Sequence, residues 1–256
     1  MKAVRKALIA PPHLQTYVVA NPLATWEQFR SGKPRYRAIQ QQLLSDQRGL
    51  CAYCEIQLLT YPEDARANDF RVEHFWPKSP HLPPPNWALE WKNLLGCCHG
   101  GTSKSVIPPS RFNPSSPSCD VPKQSYNWVG FILDPLTIPA LDILFGYKSN
   151  GVDAGEIFVN MSTCPPRLLA QAQESIVRLK LNAVRLKLAR ETVIKKTGQQ
   201  LVELVNSGMT PQQAFKKLSE IHLDLDSTFW PAFPTCIRSA LGTAAEHHLN
   251  LKNYIG

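Results

Sequence analysis

Apolar positions recur every third or fourth residue near both ends of the chain, and the middle has little periodicity. Trp26, Phe29, Tyr36, Ile39, Leu43 and Leu44 keep a helical spacing across 25–46. Gly32 and Pro34 interrupt it, so residues 1–50 read as helical in two pieces. The firmer helix is predicted over 35–47, with Gly49 as its stop. Leu169, Ala172, Ile176, Leu179, Ala183 and Leu186 carry the same spacing through 167–197, in two segments meeting near Asn182. Thr210-Pro211-Gln212-Gln213 combines an N-cap threonine, a first-turn proline and a glutamine three after the cap. It predicts a helix to about Ile221, and a further helix is predicted over 235–250.

Strand signals are shorter. Phe70-Arg71-Val72-Glu73-His74-Phe75 alternates, with Phe70 and Val72 on one face. Pro77, Pro80, Pro83, Pro84 and Pro85 then exclude regular structure, and 87–95 reads as a short helix or turn with Trp87 and Trp91 inward. Residues 100–117 read as a loop. Val129–Leu133 reads as a strand ending at Asp134-Pro135, and Leu144–Tyr147 with Ile157–Val159 as a hairpin. No repeat occurs. The pattern predicts an α+β fold with a helical segment over 1–50, a chemistry-bearing core over 51–130 and a mostly helical region over 131–256.

Composition narrows the class. A chain of 256 residues can bury a core of its own, so it needs no metal merely for size. The net charge of +8 favours an anionic partner, nucleic acid first. No run of about 18 apolar residues occurs, so no membrane span is expected. The basic start, Met1–Lys6, leads into a short mixed segment closed by Pro11, Pro12 and His13, so no secretory signal is expected. Seven cysteines, an odd number, then read as reduced thiols of a cytoplasmic protein rather than as a disulfide framework.

Five of those cysteines bracket the chemistry. Cys51 and Cys54 form a C-x2-C knuckle, a half-site for tetrahedral zinc. A thioredoxin-like redox pair shares the spacing but would follow a strand, whereas a helix is predicted here. Cys119 is the natural fourth ligand. Cys98 is preferred as the third, with Cys97 or the neighbouring His99 as rivals. Cys164 and Cys236 read as small buried hydrophobes. Between the half-sites stand Glu73-His74, Asn93 and Asp120. Hard carboxylate oxygens suit Mg²⁺ or Mn²⁺, and an imidazole can take a proton from water. Neighbours on a strand face opposite ways, so Glu73 and His74 share one site only if the strand bends or ends there. Soft and hard donors together read as a metal-dependent nuclease site held on a structural zinc.

The same residues resemble the ββα-metal site of HNH endonucleases. Glu73-His74 match the acid and first histidine of that motif, and Asn93 in Trp91-Lys-Asn-Leu-Leu95 matches the central asparagine, which in the family ties the loop to the site. Asp120 stands at the final metal-ligand position, as Asp where the family has Asn or His, and Lys123 matches the lysine that often follows. The resemblance therefore implies His74, Asn93 and Lys123 as catalytic residues and Glu73 and Asp120 as ligands of the catalytic cation. Gln47–Glu55, Val72–Ser79 and Asn93–Gly101, with Asp134-Pro135 and Leu179–Asn182, are similar to the PtuB-like proteins of Septu and retron anti-phage systems. That likeness implies a nuclease acting on nucleic acid, DNA before RNA, beside an ABC/SMC-like ATPase.

Other readings compete. A zinc-stabilised binding module without catalysis explains the cysteines and the charge, but leaves Glu73, His74, Asn93 and Asp120 without a role. A P-loop in Gly100–Ser105 is excluded, since Thr102 and Ser103 separate the lysine from the last glycine. Trp76, Trp87 and Trp91 read as core plugs or as stacking surfaces for bases. Arg178, Lys180, Arg185, Lys187 and Arg190 spread around a helix, as a solvated face, a partner contact or a phosphate track. Phe229–Pro234 packs on the core or, with other elements outside 51–130, docks onto the ATPase.

Overall fold

The computed structural model describes residues 1–58, 70–79, 85–104 and 109–256. Residues 1–50 hold three helices: α1 (Pro12–Ala20), α2 (Trp26–Arg30) and α3 (Lys33–Asp46). Pro11 and Pro12, which in sequence read as an end, open α1, because a proline at the first helical turn lacks only an N–H that has no partner there anyway. A Thr25–Gln28 capping box starts α2, and Pro34 lies in the first turn of α3. The first residues are buried. The Met1 ammonium pairs with Glu55 at 2.6 Å, and Val4 N–H donates to the Pro135 carbonyl at 2.8 Å.

The central sheet is a two-stranded antiparallel pair, β1 (Phe70–His74) and β2 (Leu94–Cys98), in register from Phe70↔Cys98 to His74↔Leu94. The second strand corrects the reading of 87–95. Only Trp91–Asn93 forms a helical turn, and the strand starts at Leu94. Leu94 to Cys98 is buried throughout, so it shows no alternation to read. The third element of a ββα unit is also different. Cys119 to Ser125 forms successive turns, not a helix, with Lys123 N–H on the Asp120 carbonyl at 3.0 Å and Tyr126 N–H on Lys123 at 2.9 Å. Pro117, Pro122 and the positive φ of Cys119 and Gln124 prevent a regular helix. Pro80, Pro83, Pro84 and residues 105–108 of the expected loops lie outside the described residues.

Val129–Leu133 is a turn with one isolated bridge, Val129↔Ile132, closed by Asn127 Oδ1 on Val129 N–H. The predicted hairpin is present as β3 (Phe145–Tyr147) and β4 (Ile157–Val159). The two helical segments are α4 (Pro166–Arg178) and α5 (Val184–Asn206). Asn182, in the link between them, both donates to and accepts from the Ile157 backbone, which fastens the link to β4. α6 (Pro211–His222) opens with the expected capping box on Thr210. The helix expected over 235–250 is two, α7 (Pro234–Leu241) and α8 (Thr243–Leu251), parted at Gly242 with φ 55°.

The principal core joins side chains from the whole length of the chain, Met1, Tyr53, Phe70, Leu95, Phe145, Leu181, Leu186 and Phe233 among them. Of the aromatics in Phe229–Pro234, Trp230 and Phe233 are buried and only Phe229 is exposed. The mixed helices and small sheets make an α+β protein. Among the described residues, no helix is long and apolar enough to cross a membrane.

Candidate functional site

α3 delivers the chain to the knuckle, and its C-cap residue fixes the segment beyond it. The buried Gln47 side chain donates to the carbonyls of Leu50 (2.7 Å) and Gly96 (2.8 Å) and accepts from Gly96 N–H (2.6 Å). It thereby ties the knuckle to β2. Ala52 N–H adds a bond to the Gly96 carbonyl, and Cys98 N–H faces the Cys51 sulfur at 3.4 Å. Cys119 arrives from the turns, held by its N–H on the Leu179 carbonyl at 2.8 Å.

Cys51, Cys54, Cys98 and Cys119 are all buried, and their sulfurs lie within 4.8 Å of one another. Cys54 and Cys98 are 3.7 Å apart and Cys98 and Cys119 3.4 Å. A tetrahedral zinc with arms of about 2.3 Å separates its sulfurs by about 3.8 Å, so the four thiols fit such an ion. Burial opposes the thiolate at Cys51, but hydrogen bonds from Cys119, Cys54, Cys97 and Cys98 outweigh it and hold its pKa well below the usual value. Arg185 of α5, buried beside the thiols, adds a positive charge next to them. Alternation along β2 sends Cys97 to the opposite face from Cys98. Cys97 and His99 stand outside the mutual set.

The face of the sheet that carries Cys97 also carries Arg71 and Glu73, and the turns bring Asp120 and Lys123 to it. Arg71 Nε donates to Asp120 Oδ2 at 2.6 Å. Lys123 Nζ donates to Glu73 Oε1 at 2.8 Å and to the His74 carbonyl at 2.7 Å. Burial raises the Glu73 pKa to about 7; Lys123 opposes this and the Asp120 charge adds to it. Burial also raises Asp120, against the pull of Arg71. Asp120 Oδ1 is buried and accepts no hydrogen bond from the described residues. A half-buried Glu73 and a buried Asp120, both with raised pKa values and Asp120 with an orphaned oxygen, form a donor set that fits a hard divalent cation.

The His74 ring lies on the other face of β1. It meets the Trp26 ring edge-on at 4.7 Å, and its Nε2 is 3.0 Å from the Ala88 carbonyl. A carbonyl only accepts, so Nε2 carries the proton and Nδ1 is the basic nitrogen. Burial lowers the imidazole pKa to about 4, so the ring is neutral at neutral pH. β1 ends at His74 and the chain bends at Phe75 and Trp76. No hydrogen bond joins the imidazole to Glu73 or Asp120 among the described residues; the link between the faces is Lys123 on the His74 carbonyl.

Asn93 is 1% exposed and commits its side chain to backbone. Its Oδ1 accepts from Trp76 N–H at 2.6 Å, and its Nδ2 donates to the carbonyls of Trp76 (2.9 Å) and Trp87 (2.6 Å). With the Asn93 carbonyl taking Phe75 N–H, it clamps the loop after His74. Sequence reasoning misses Arg71 and Gln47. Arg71 has a signal, since two residues before Glu73 on a strand means the same face. Gln47 has none. Of the basic residues singled out in this region, Arg185 and Arg190 are buried, Arg178 pairs with Glu174, Lys187 pairs with Asp153 and Glu156, and Lys180 is exposed.

Among known proteins, the chain is similar to the HNH endonuclease assigned to retron Ec83 of Escherichia coli. The two are 34% identical over an alignment of 203 residues, covering 71% of this chain and 74% of that one. It is also similar to the Septu protein PtuB of Bacillus thuringiensis, 31% identical over 103 residues, 40% of this chain and 36% of that one. No family model matches the chain.

Proposed function

This chain belongs to the HNH endonucleases of the retron and Septu group, and on that premise we propose that it hydrolyses DNA phosphodiester bonds at the end of β1, beside Glu73 and Asp120. In this reading it is the effector of an anti-phage defence system, acting with an ABC/SMC-like ATPase that docks outside 51–130. The carrying observation is the Glu73–Asp120 acid pair with its orphaned, buried Asp120 Oδ1, beside a four-thiol cluster on the same small sheet.

Glu73 and Asp120 would hold Mg²⁺ or Mn²⁺, which supplies stabilisation of the charge developing on the phosphate and the leaving oxygen. Arg71 and Lys123 each pair with one carboxylate and oppose the burial that favours its protonation. The scissile phosphate would sit over the end of β1, where the chain bends and the two faces adjoin, so that His74 Nδ1 takes the proton of the attacking water; the Ala88 carbonyl holds the tautomer that leaves Nδ1 basic. Asn93 fixes the loop at the end of β1. Cys51, Cys54, Cys98 and Cys119 would hold a structural zinc, leaving the hard and soft sites to different ions.

The test is cleavage of labelled DNA by purified protein with added Mg²⁺ or Mn²⁺. His74→Ala is expected to lower the rate by ~10²–10⁴ with zinc content unchanged. A parent protein that binds DNA but cuts neither DNA nor RNA would leave the non-catalytic zinc module in its place.

A further inference from the structure

The cleavage chemistry uses neither Trp76 nor Trp87. Their indoles stack with ring centroids 4.8 Å apart and planes 9° from parallel. Both are half-buried, unlike Trp91, which is in the core beneath the Lys6 ammonium. Trp76 packs one edge of the stack against the principal core, and Trp87 is not part of that core. Asn93 grips the backbone of both residues, two bonds on Trp76 and one on Trp87, so the asparagine that clamps the loop after His74 also sets the two indoles against each other.

Both indoles line an open groove of about 730 Å³. Arg5, Lys6 and Lys92 also line it, as do Glu90 and Asp134. The acids are in use locally: Glu90 caps Lys92 N–H and Asp134 caps Leu136 N–H. The Lys6 ammonium is committed to the carbonyls of Trp91 and Leu94. Arg5 and Lys92 are exposed and make no ion pair with the described residues. The groove thus combines a rigid aromatic wall with two available cations. That is the chemistry that holds single-stranded nucleic acid, with bases on aromatic faces and phosphates near cations. Trp76 follows His74 by two residues, at most about 7 Å of extended chain, so a base on the stack lies close to the bond that would be cut.

We infer that the Trp76–Trp87 stack is a platform for an unpaired base beside the scissile phosphate, so that the substrate is single-stranded or locally opened DNA. A base inside a duplex has both faces covered by its neighbours and offers none to an indole. This inference rests on the nuclease reading for its purpose and is tested apart from cleavage.

The probes are a short fluorescein-labelled oligothymidylate and an abasic strand of the same length, which has the same phosphates and no bases. Binding is measured by anisotropy without added Mg²⁺ or Mn²⁺. The parent protein should prefer the thymidylate by at least about fivefold, as expected for one stacked base. Its tryptophan fluorescence should be quenched by the thymidylate and not by the abasic strand. Trp87→Ala and Trp87→Leu should lose the preference while binding the abasic strand as before; a general loss of structure would weaken both strands alike. Equal affinity of the parent for the two strands, no binding of either, or a preference that survives in both folded variants overturns the inference. Cleavage is scored separately on a single strand and on the same sequence as a hairpin duplex. Failure to cut either defeats the nuclease reading and leaves the base preference measured. Equal cutting of both defeats the platform alone.

Discussion

Asp120 is buried and Glu73 half-buried, their charges oppose each other, and a fold selected only for stability gains nothing from that arrangement. Asp120→Asn keeps the shape and one hydrogen-bond acceptor for Arg71 while removing a like charge. It is expected to cut Mg²⁺-dependent cleavage by ~10² or more, with a change in metal-free stability of no more than about 1 kcal/mol. Rate measurements and thermal unfolding on the same preparations check both halves. Asn93 should behave in the reverse way. Asn93→Ala strands three backbone groups, at Trp76 and Trp87, whose side-chain partner is then gone. Each buried group left unsatisfied costs about 1–3 kcal/mol, so a loss of about 3 kcal/mol or more is expected, read as a lower urea midpoint. Activity should fall with it, although Asn93 touches no reacting atom.

At the scale of elements, the four thiols gather the knuckle, β2 and the turns at 119–125 at one point, alongside the hydrogen bonds of Gln47, Ala52 and Cys119. β1 and β2 form a two-stranded pair, and such a pair has little stability of its own. The four thiols join its end to the knuckle and to Cys119, and Asp120 follows Cys119 directly. Cys54→Ser is therefore expected to lose the zinc, displace Asp120 and aggregate through exposed apolar surface. Elemental analysis and light scattering check this, and a strong chelator should produce the same state in the parent protein. Retained zinc with full solubility would mean that the sheet is held in another way.

Across the whole molecule, the core that lies under the thiol cluster includes Leu179, Leu181, Leu186, Phe233 and Cys236 from the C-terminal region. Trp230 N–H bonds the Arg48 carbonyl, Phe233 N–H bonds the Glu55 carbonyl, and Cys119 N–H bonds Leu179. A fragment of residues 1–160 loses all of these partners. It is expected to be insoluble or to lack the cooperative thermal transition of the full chain, measured by circular dichroism. A test of partner docking consequently belongs on the full chain with surface substitutions, for which exposed Phe229 on the 227–233 segment is suited and buried Trp230 is not.

The residues of the candidate site are legible in the chain because side chains suited to holding metal stand there at short spacings. Cys51 and Cys54, Glu73-His74, and Cys119-Asp120 announce themselves locally, as do the Thr210 capping box and the hairpin on 144–159. The strand character of Leu94–Cys98 was hidden because burial on both faces removes the alternation that marks a strand. The choice of Cys98 over Cys97 was also open in one dimension, and the pairing register of β1 and β2 decided which sulfur shares a face with which neighbour. The turns that replace a helix at Asp120, the partnership of Arg71 with Asp120, and the grip of Gln47 on Gly96 depend on contacts between residues dozens of positions apart. Sequence determines which groups are available; only the packing of distant segments decides which of them meet and what charge each must tolerate there.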